Sequence, residues 1–190
     1  MKNQNYIVST FFIVFAAATR LVPHIDNFSG MEALALFGAA YYSRNYLALA
    51  MPLLVMYVVD FVINNTFARS FFPEVQGLVW WSDYMLFNSL AYALIAGFGI
   101  WVLKSKVRLP KLIASSLFAS LLFFTVTNFG AWLSPASLFP ATWSGLVSTY
   151  VAGVPFFKTS LVSTLVFSLI IFGSYSLFKQ TFSNTLAIDK

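Results

Sequence analysis

Residues 84–133 read YMLFNSLAYALIAGFGIWVLKSKVRLPKLIASSLFASLLFFTVTNFGAWL. Two apolar runs, 84–103 and 112–133, flank a basic octet, KSKVRLPK, at 104–111. Each run matches the about 20 mostly apolar residues a helix needs to cross a bilayer. A dense cluster of Lys and Arg between two such runs marks a cytoplasmic loop. This stretch therefore predicts both the fold class and the orientation of the chain.

The rest of the sequence agrees. Hydrophobic residues fill 59% of 190 positions and charged ones only 9%, with a mean hydropathy of +0.80. A soluble domain carries about 25% charged residues, so this chain lacks the polar surface to cover itself in water. Its partner of first resort is the lipid bilayer. The expected fold is an all-α integral membrane protein, one domain over 1–190, with about six transmembrane helices. The spans are predicted at 6–22, 31–42, 46–63, 84–103, 112–133 and 156–178. The second is too short to span comfortably and is expected to be tilted or half-buried, shielded by its neighbours. A short apolar piece at 145–154 leads into an expected kink at Gly153 and Pro155.

Six crossings with 104–111 inside place Lys2, Arg44, Lys179 and Lys190 on the same side. Eight of the eleven basic residues then face the cytoplasm, leaving Arg20, Arg69 and Lys158. Both termini are therefore expected in the cytoplasm. The N-terminal stretch, with Lys2, an apolar run and Ala16, Ala17 and Ala18, looks like a signal peptide. However, Thr19 and Arg20 follow it instead of a polar mature domain, and a spanning helix is the better reading. The outward connections are 23–30, 64–83 and 134–155. The last two are long and rich in aromatics, including Trp80, Trp81, Trp143 and Tyr150. Such residues form interfacial belts, although long structured loops also carry function.

Several functions are excluded by what the sequence lacks. There is no cysteine, so thiolate metal sites and Cys nucleophiles are absent, and one histidine, His24, cannot build a multi-histidine site. No metal or cofactor is expected. The net charge of +5 is not arranged as a basic stripe, so no nucleic acid is implied. No phosphate-binding loop or nucleophile elbow appears. The chain is expected not to be an enzyme, and active transport would need a partner or an ion gradient.

Polar groups in or beside apolar spans are functional candidates by default. The richest cluster is RLVPHIDNFSG at 20–30, which holds Arg20, His24, Asp26 and Asn27. An ion pair of Arg20 with Asp26 or Glu32 would fix this loop, and snorkelling would also account for Arg20. Asp60, late in the third span, should face the bundle interior and pair with Arg20 or His24. Thr127 and Asn128 suit interhelical hydrogen bonds. Alternatively Asn128 offers a donor and an acceptor to a ligand stacked on Trp132, in a pocket opening outward. The small residues Ala16, Ala17 and Ala18, and the run Gly38, Ala39 and Ala40, suit close helix packing or docking of another membrane protein.

Three motifs add a resemblance. They are Arg20-x-x-Pro23-His24-x-x-Asn27-Phe28-Ser29 with ALALFG at 33–38, then TNFG-x-WL at 127–133. The third is Phe139-Pro140-x-Thr142-x-x-Gly145-Leu146 running into Tyr150-x-Ala152-Gly153-x-Pro155-Phe156-Phe157. Together they resemble DUF6580, a bacterial membrane family of unknown function regarded as transport proteins. That family is in turn similar to the substrate-binding S components of energy-coupling-factor (ECF) vitamin transporters. The resemblance implies a multi-pass protein of the bacterial cytoplasmic membrane that binds a small vitamin-like or heterocyclic compound near its outer face. It also implies an ECF-type coupling subunit with two ATPases as partner, docked near Ala16, Ala17 and Ala18. The pattern departs at Lys158, Thr159 and Ser160, where the family commonly places Asn and then an acidic residue, so substrate identity does not carry over.

On this reading the ligand-binding residues are Arg20, His24, Asn27, Asp60, Asn128, Trp132, Tyr150 and Lys158. Two other classes compete. A stand-alone secondary carrier would show an inverted repeat and buried coupling-ion ligands. An enzymatic or structural subunit would show positioned acid–base groups, or internally paired polar residues with no cavity.

Overall fold

The computed structural model describes residues 10–11, 13–15, 18–21, 27–71, 76–82 and 84–188. Five helices follow in order: α1 (Met31–Tyr41), α2 (Asn45–Asn65), α3 (Met85–Leu103), α4 (Leu109–Leu133) and α5 (Trp143–Ile188). A 3-10 turn, Phe67–Phe71, follows α2, and further helical residues lie between 10 and 18. Among the described residues there is no strand. Four helices, α2 to α5, are long and apolar enough to cross a membrane.

The long helices are inverted relative to those of a soluble bundle. Their outward faces are apolar: Trp101 is 82% exposed, and Leu54, Leu121 and Val162 are each at least half exposed. Their inward faces carry small polar residues, with Ser115, Ser116, Ser120, Ser163, Thr164 and Ser168 all buried. Lipid satisfies the first set. The second set lets helices approach closely and bond across the gap. Ser116 Oγ donates to Ser168 Oγ at 2.9 Å, and Ser120 and Thr164 return their hydroxyls to carbonyls four residues back.

The short helix α1 is the centre of the bundle. It is about 16 Å long at 1.5 Å per residue, too short to span, and it packs against all four long helices. Every residue from Met31 to Ala39 is buried. The expected shielding of this segment is what the fold provides. Ala39 and its neighbours pack internally, with Gly38 against Pro52 of α2.

Two expectations at the C-terminal side are corrected. The piece at 145–154 and the span at 156–178 form one helix, Trp143–Ile188, running through Gly153 and Pro155. Packing explains this. A Cβ on Gly153 would lie 2.4 Å from Asn128 Oδ1 and 2.9 Å from the Phe124 ring, so glycine serves close approach to α4. Pro155 sits on the exposed side of the helix. The connection between α4 and α5 therefore covers only 134–142, and Tyr150 lies on α5 and not in a loop. At about 69 Å, α5 is about twice as long as a hydrocarbon core is thick, so part of it lies beyond.

The bundle has two distinct ends. At one, Lys104 reaches across to Ser43 O and Asn45 Oδ1, tying the basic loop to the α1–α2 turn. At the other lie Trp80, Trp81 and Trp143, all more than half exposed. These are called the basic end and the tryptophan end below.

Candidate functional site

The polar residues of the tryptophan half converge from five segments. Arg20 Nη1 lies 2.6 Å from Asp60 Oδ1 of α2, a contact in which both side chains are largely buried. The contact is a close charge pair between the Arg20 guanidinium and the Asp60 carboxylate. Asn88, in the first turn of α3, also approaches the Asp60 carboxylate. A carboxylate taken into lipid needs such partners. The sequence's pairing of Asp60 with Arg20 is thus the one formed. The alternative pairing of Arg20 with Glu32 is not, and Asp26 and His24 lie outside the described residues.

Glu32 is 2% exposed, in the first turn of α1. Ser160 of α5 donates to its Oε1 at 2.8 Å, while its Oε2 has no partner. Ser163, one turn-face along α5, reaches the Asn27 carbonyl at 3.3 Å. Asn27 has a φ of +59°, a left-handed conformation that Asn tolerates better than most residues. Thr19 Oγ1 takes the Gly30 amide at 3.3 Å. The chain before α1 is thereby folded over the bundle.

These groups surround a cavity of about 60 Å³, lined by Arg20, Asn27, Ser29, Glu32, Tyr92 and Phe123. The Tyr92 and Phe123 rings meet at 5.2 Å. A second cavity of about 300 Å³ lies between α3 and α4, with Trp81, Tyr84, Phe87, Asn88 and Thr127 among its walls. Gly130 also lines it: a Cβ there would fall 2.2 Å from Phe87 Cγ, so its absence lets the Phe87 ring lie on α4. A third cavity, about 230 Å³, adjoins across Tyr84 and Ala131 and includes Asn128, Gly153 and Phe156.

The structure brings together Arg20, Asn27 and Asp60 of the predicted ligand-binding set. Asn128 lines the third cavity, but its amide is engaged with Phe124 O at 2.8 Å. Trp132 and Tyr150 are fasteners: Trp132 Nε1 donates to Pro140 O at 3.1 Å, and the Tyr150 hydroxyl donates to Thr125 O at 2.7 Å. Neither lines a described cavity. Lys158 is exposed, on the stripe of α5 with Val154 and Val162, and lines none of them. A helical period, and not a loop, sets these directions, and it turns Lys158 away from the interior. Ala18 is exposed, while Ala16 and Ala17 lie outside the described residues.

Sequence reading passed over Asn88 and Tyr92, met Ser160 only as a departure from the family pattern, and treated Glu32 only as a loop partner. For Glu32 a signal existed: it is the one charge in an otherwise apolar 31–42 run. For Ser160 and Tyr92 nothing in the sequence separates them from other helical serines and tyrosines.

The fold and this arrangement define a multi-pass membrane protein with a polar cluster beneath cavities at one end. The profile of DUF6580, a family of unknown function, matches residues 1–186, and the chain belongs to that family. No curated protein and no solved structure matches the chain.

Proposed function

We propose that this protein is a membrane-embedded solute-binding subunit that takes up a small vitamin-like or heterocyclic compound from the tryptophan end. The carrying observation is the larger cavity there and its approach to the buried polar cluster. The 300 Å³ cavity has aromatic walls, and its Asn88 also approaches the buried Asp60 that pairs with Arg20. Ligand sites have this composition, apolar and aromatic walls with a few fixed polar groups, at volumes of about 300–1,000 Å³. On the orientation from the basic residues, the tryptophan end faces outward and the basic end faces the cytoplasm. On this reading the protein is an S-component-like subunit of the bacterial cytoplasmic membrane. With no nucleotide-binding motif of its own, it draws energy from a partner ATPase module.

The test is native mass spectrometry of the full chain, with any co-purified compound released and identified, followed by titration of that compound into Arg20→Ala and Asn88→Ala. A stoichiometric small molecule whose affinity falls by about tenfold or more in both variants supports the reading, each lost polar contact being worth about 1–3 kcal/mol. Binding unmoved by either change would remove the site. A persistently empty protein across a panel of vitamins would favour a structural subunit.

A further inference from the structure

The small cavity differs from the large one by holding an unused carboxylate oxygen. Glu32 Oε2 is buried and accepts from no partner among the described residues. Leaving a buried acceptor unsatisfied is costly, and an occupant that donates to this oxygen would remove that cost. The charges around it, among the described residues, are Arg20 and Asp60, and these two lie against each other. Glu32 therefore has no close ion pair of its own among the described residues, and Arg20 acts on it only at longer range.

Three further features fix what the occupant is. The volume of about 60 Å³ accommodates roughly two waters at about 30 Å³ each, which is the size of an ammonium or amidinium group and too small for a ring. Two of the walls are the Tyr92 and Phe123 rings, and aromatic faces attract cations. Finally, Tyr92 follows Asn88 by four residues on α3, and Phe123 precedes Thr127 by four on α4. These two walls of the small cavity thus lie about 6 Å further along α3 and α4 from the tryptophan end than Asn88 and Thr127 of the large one.

We propose that the small cavity is a cation subsite. It takes a protonated, N–H-bearing head group, such as a primary ammonium, an amidinium or a protonated amino-heterocycle edge. Glu32 Oε2 accepts the N–H, the Tyr92 and Phe123 rings face the positive charge, and the apolar body of the ligand occupies the cavity between Trp81, Tyr84 and Phe87. This rests on the binding-subunit reading and narrows its ligand to small organic cations.

The test uses the full chain in lipid nanodiscs, with empty nanodiscs as blank, and three probes of similar body: benzylammonium, benzyltrimethylammonium and benzoate. Benzylammonium is expected to bind best. Benzyltrimethylammonium, which keeps the charge without N–H, should bind about tenfold or more weakly, and benzoate should not bind. Glu32→Gln should weaken benzylammonium about 10- to 100-fold. If that variant fails to fold, the probe series on the unaltered protein still decides. Benzoate binding as well as benzylammonium, or benzylammonium unmoved by Glu32→Gln, would overturn the cation subsite and leave the larger cavity as a binding site. If no probe binds and no compound co-purifies, both readings fall.

Discussion

The two halves of the bundle are built from opposite materials around the same short helix. Toward the basic end, α1 presents Phe37 and Tyr41 to Phe172 and Tyr175 of α5, with ring centroids 4.2–5.5 Å apart. Phe37 is fully buried and no described cavity adjoins it. Toward the tryptophan end the same two helices present Glu32 and Ser160, beside an ion pair and three cavities. One half is dry and filled, the other polar and hollow. The contrast teaches where stability and function are separable. Aromatic packing holds α1 in place, and on the proposed reading the one charge at its other end, Glu32, serves a ligand.

The largest blow to this contrast should come from the dry half. Phe37→Ala is expected to cost about 3–5 kcal/mol, the range for an emptied aromatic core site. Thermal unfolding in detergent would read it, and the affinity of the surviving folded protein should be unchanged. A drop in affinity matching the loss of stability would mean that the halves are not separable.

Next comes the ion pair. Asp60→Ala strands Arg20 and should destabilise by about 2–3 kcal/mol, below the range for a fully buried pair because Arg20 keeps some exposure. The double change Arg20→Met with Asp60→Leu should restore most of that loss while abolishing ligand binding. A double variant as unstable as the single would show that the pair holds the fold and not the site.

A smaller effect is expected where α5 meets α4. Gly153→Ala forces a Cβ against Asn128 and should cost about 1–3 kcal/mol as overpacking. If stability is unmoved in a melting experiment, the approach of the two helices is looser than Gly153 implies.

Smallest of all is Lys158. Because it lines no described cavity, Lys158→Ala should shift ligand affinity by no more than about 0.5 kcal/mol. A tenfold loss in a binding titration would restore it to the site from which the helix direction removes it.

The sequence was most legible where one residue's chemistry meets one property of the bilayer. Apolar length marked the helices now seen at Asn45–Asn65, Met85–Leu103 and Leu109–Leu133. The cost of a lone carboxylate in lipid led from Asp60 to two cationic candidates, Arg20 and His24, and the structure pairs it with Arg20. The reading of 31–42 as a shielded short helix rested on the same rule, that a segment too short to span must be covered. Reading faltered at Gly153 and Pro155, where residues that break exposed helices are carried inside a long one, because the neighbouring α4 needs the space that glycine leaves.

What the sequence alone determined is therefore the class of solvent, the apolar helices α2 to α4 and the need of Asp60 for a cationic partner, since each follows from transfer costs local to a segment. Which side chains share a cavity was decided only by the tertiary structure. Glu32 and Ser160 are 128 residues apart, and Tyr92 and Phe123 sit on different helices. Their meeting depends on rotation and register of packed helices, which are set by interlocking side chains and not by hydropathy.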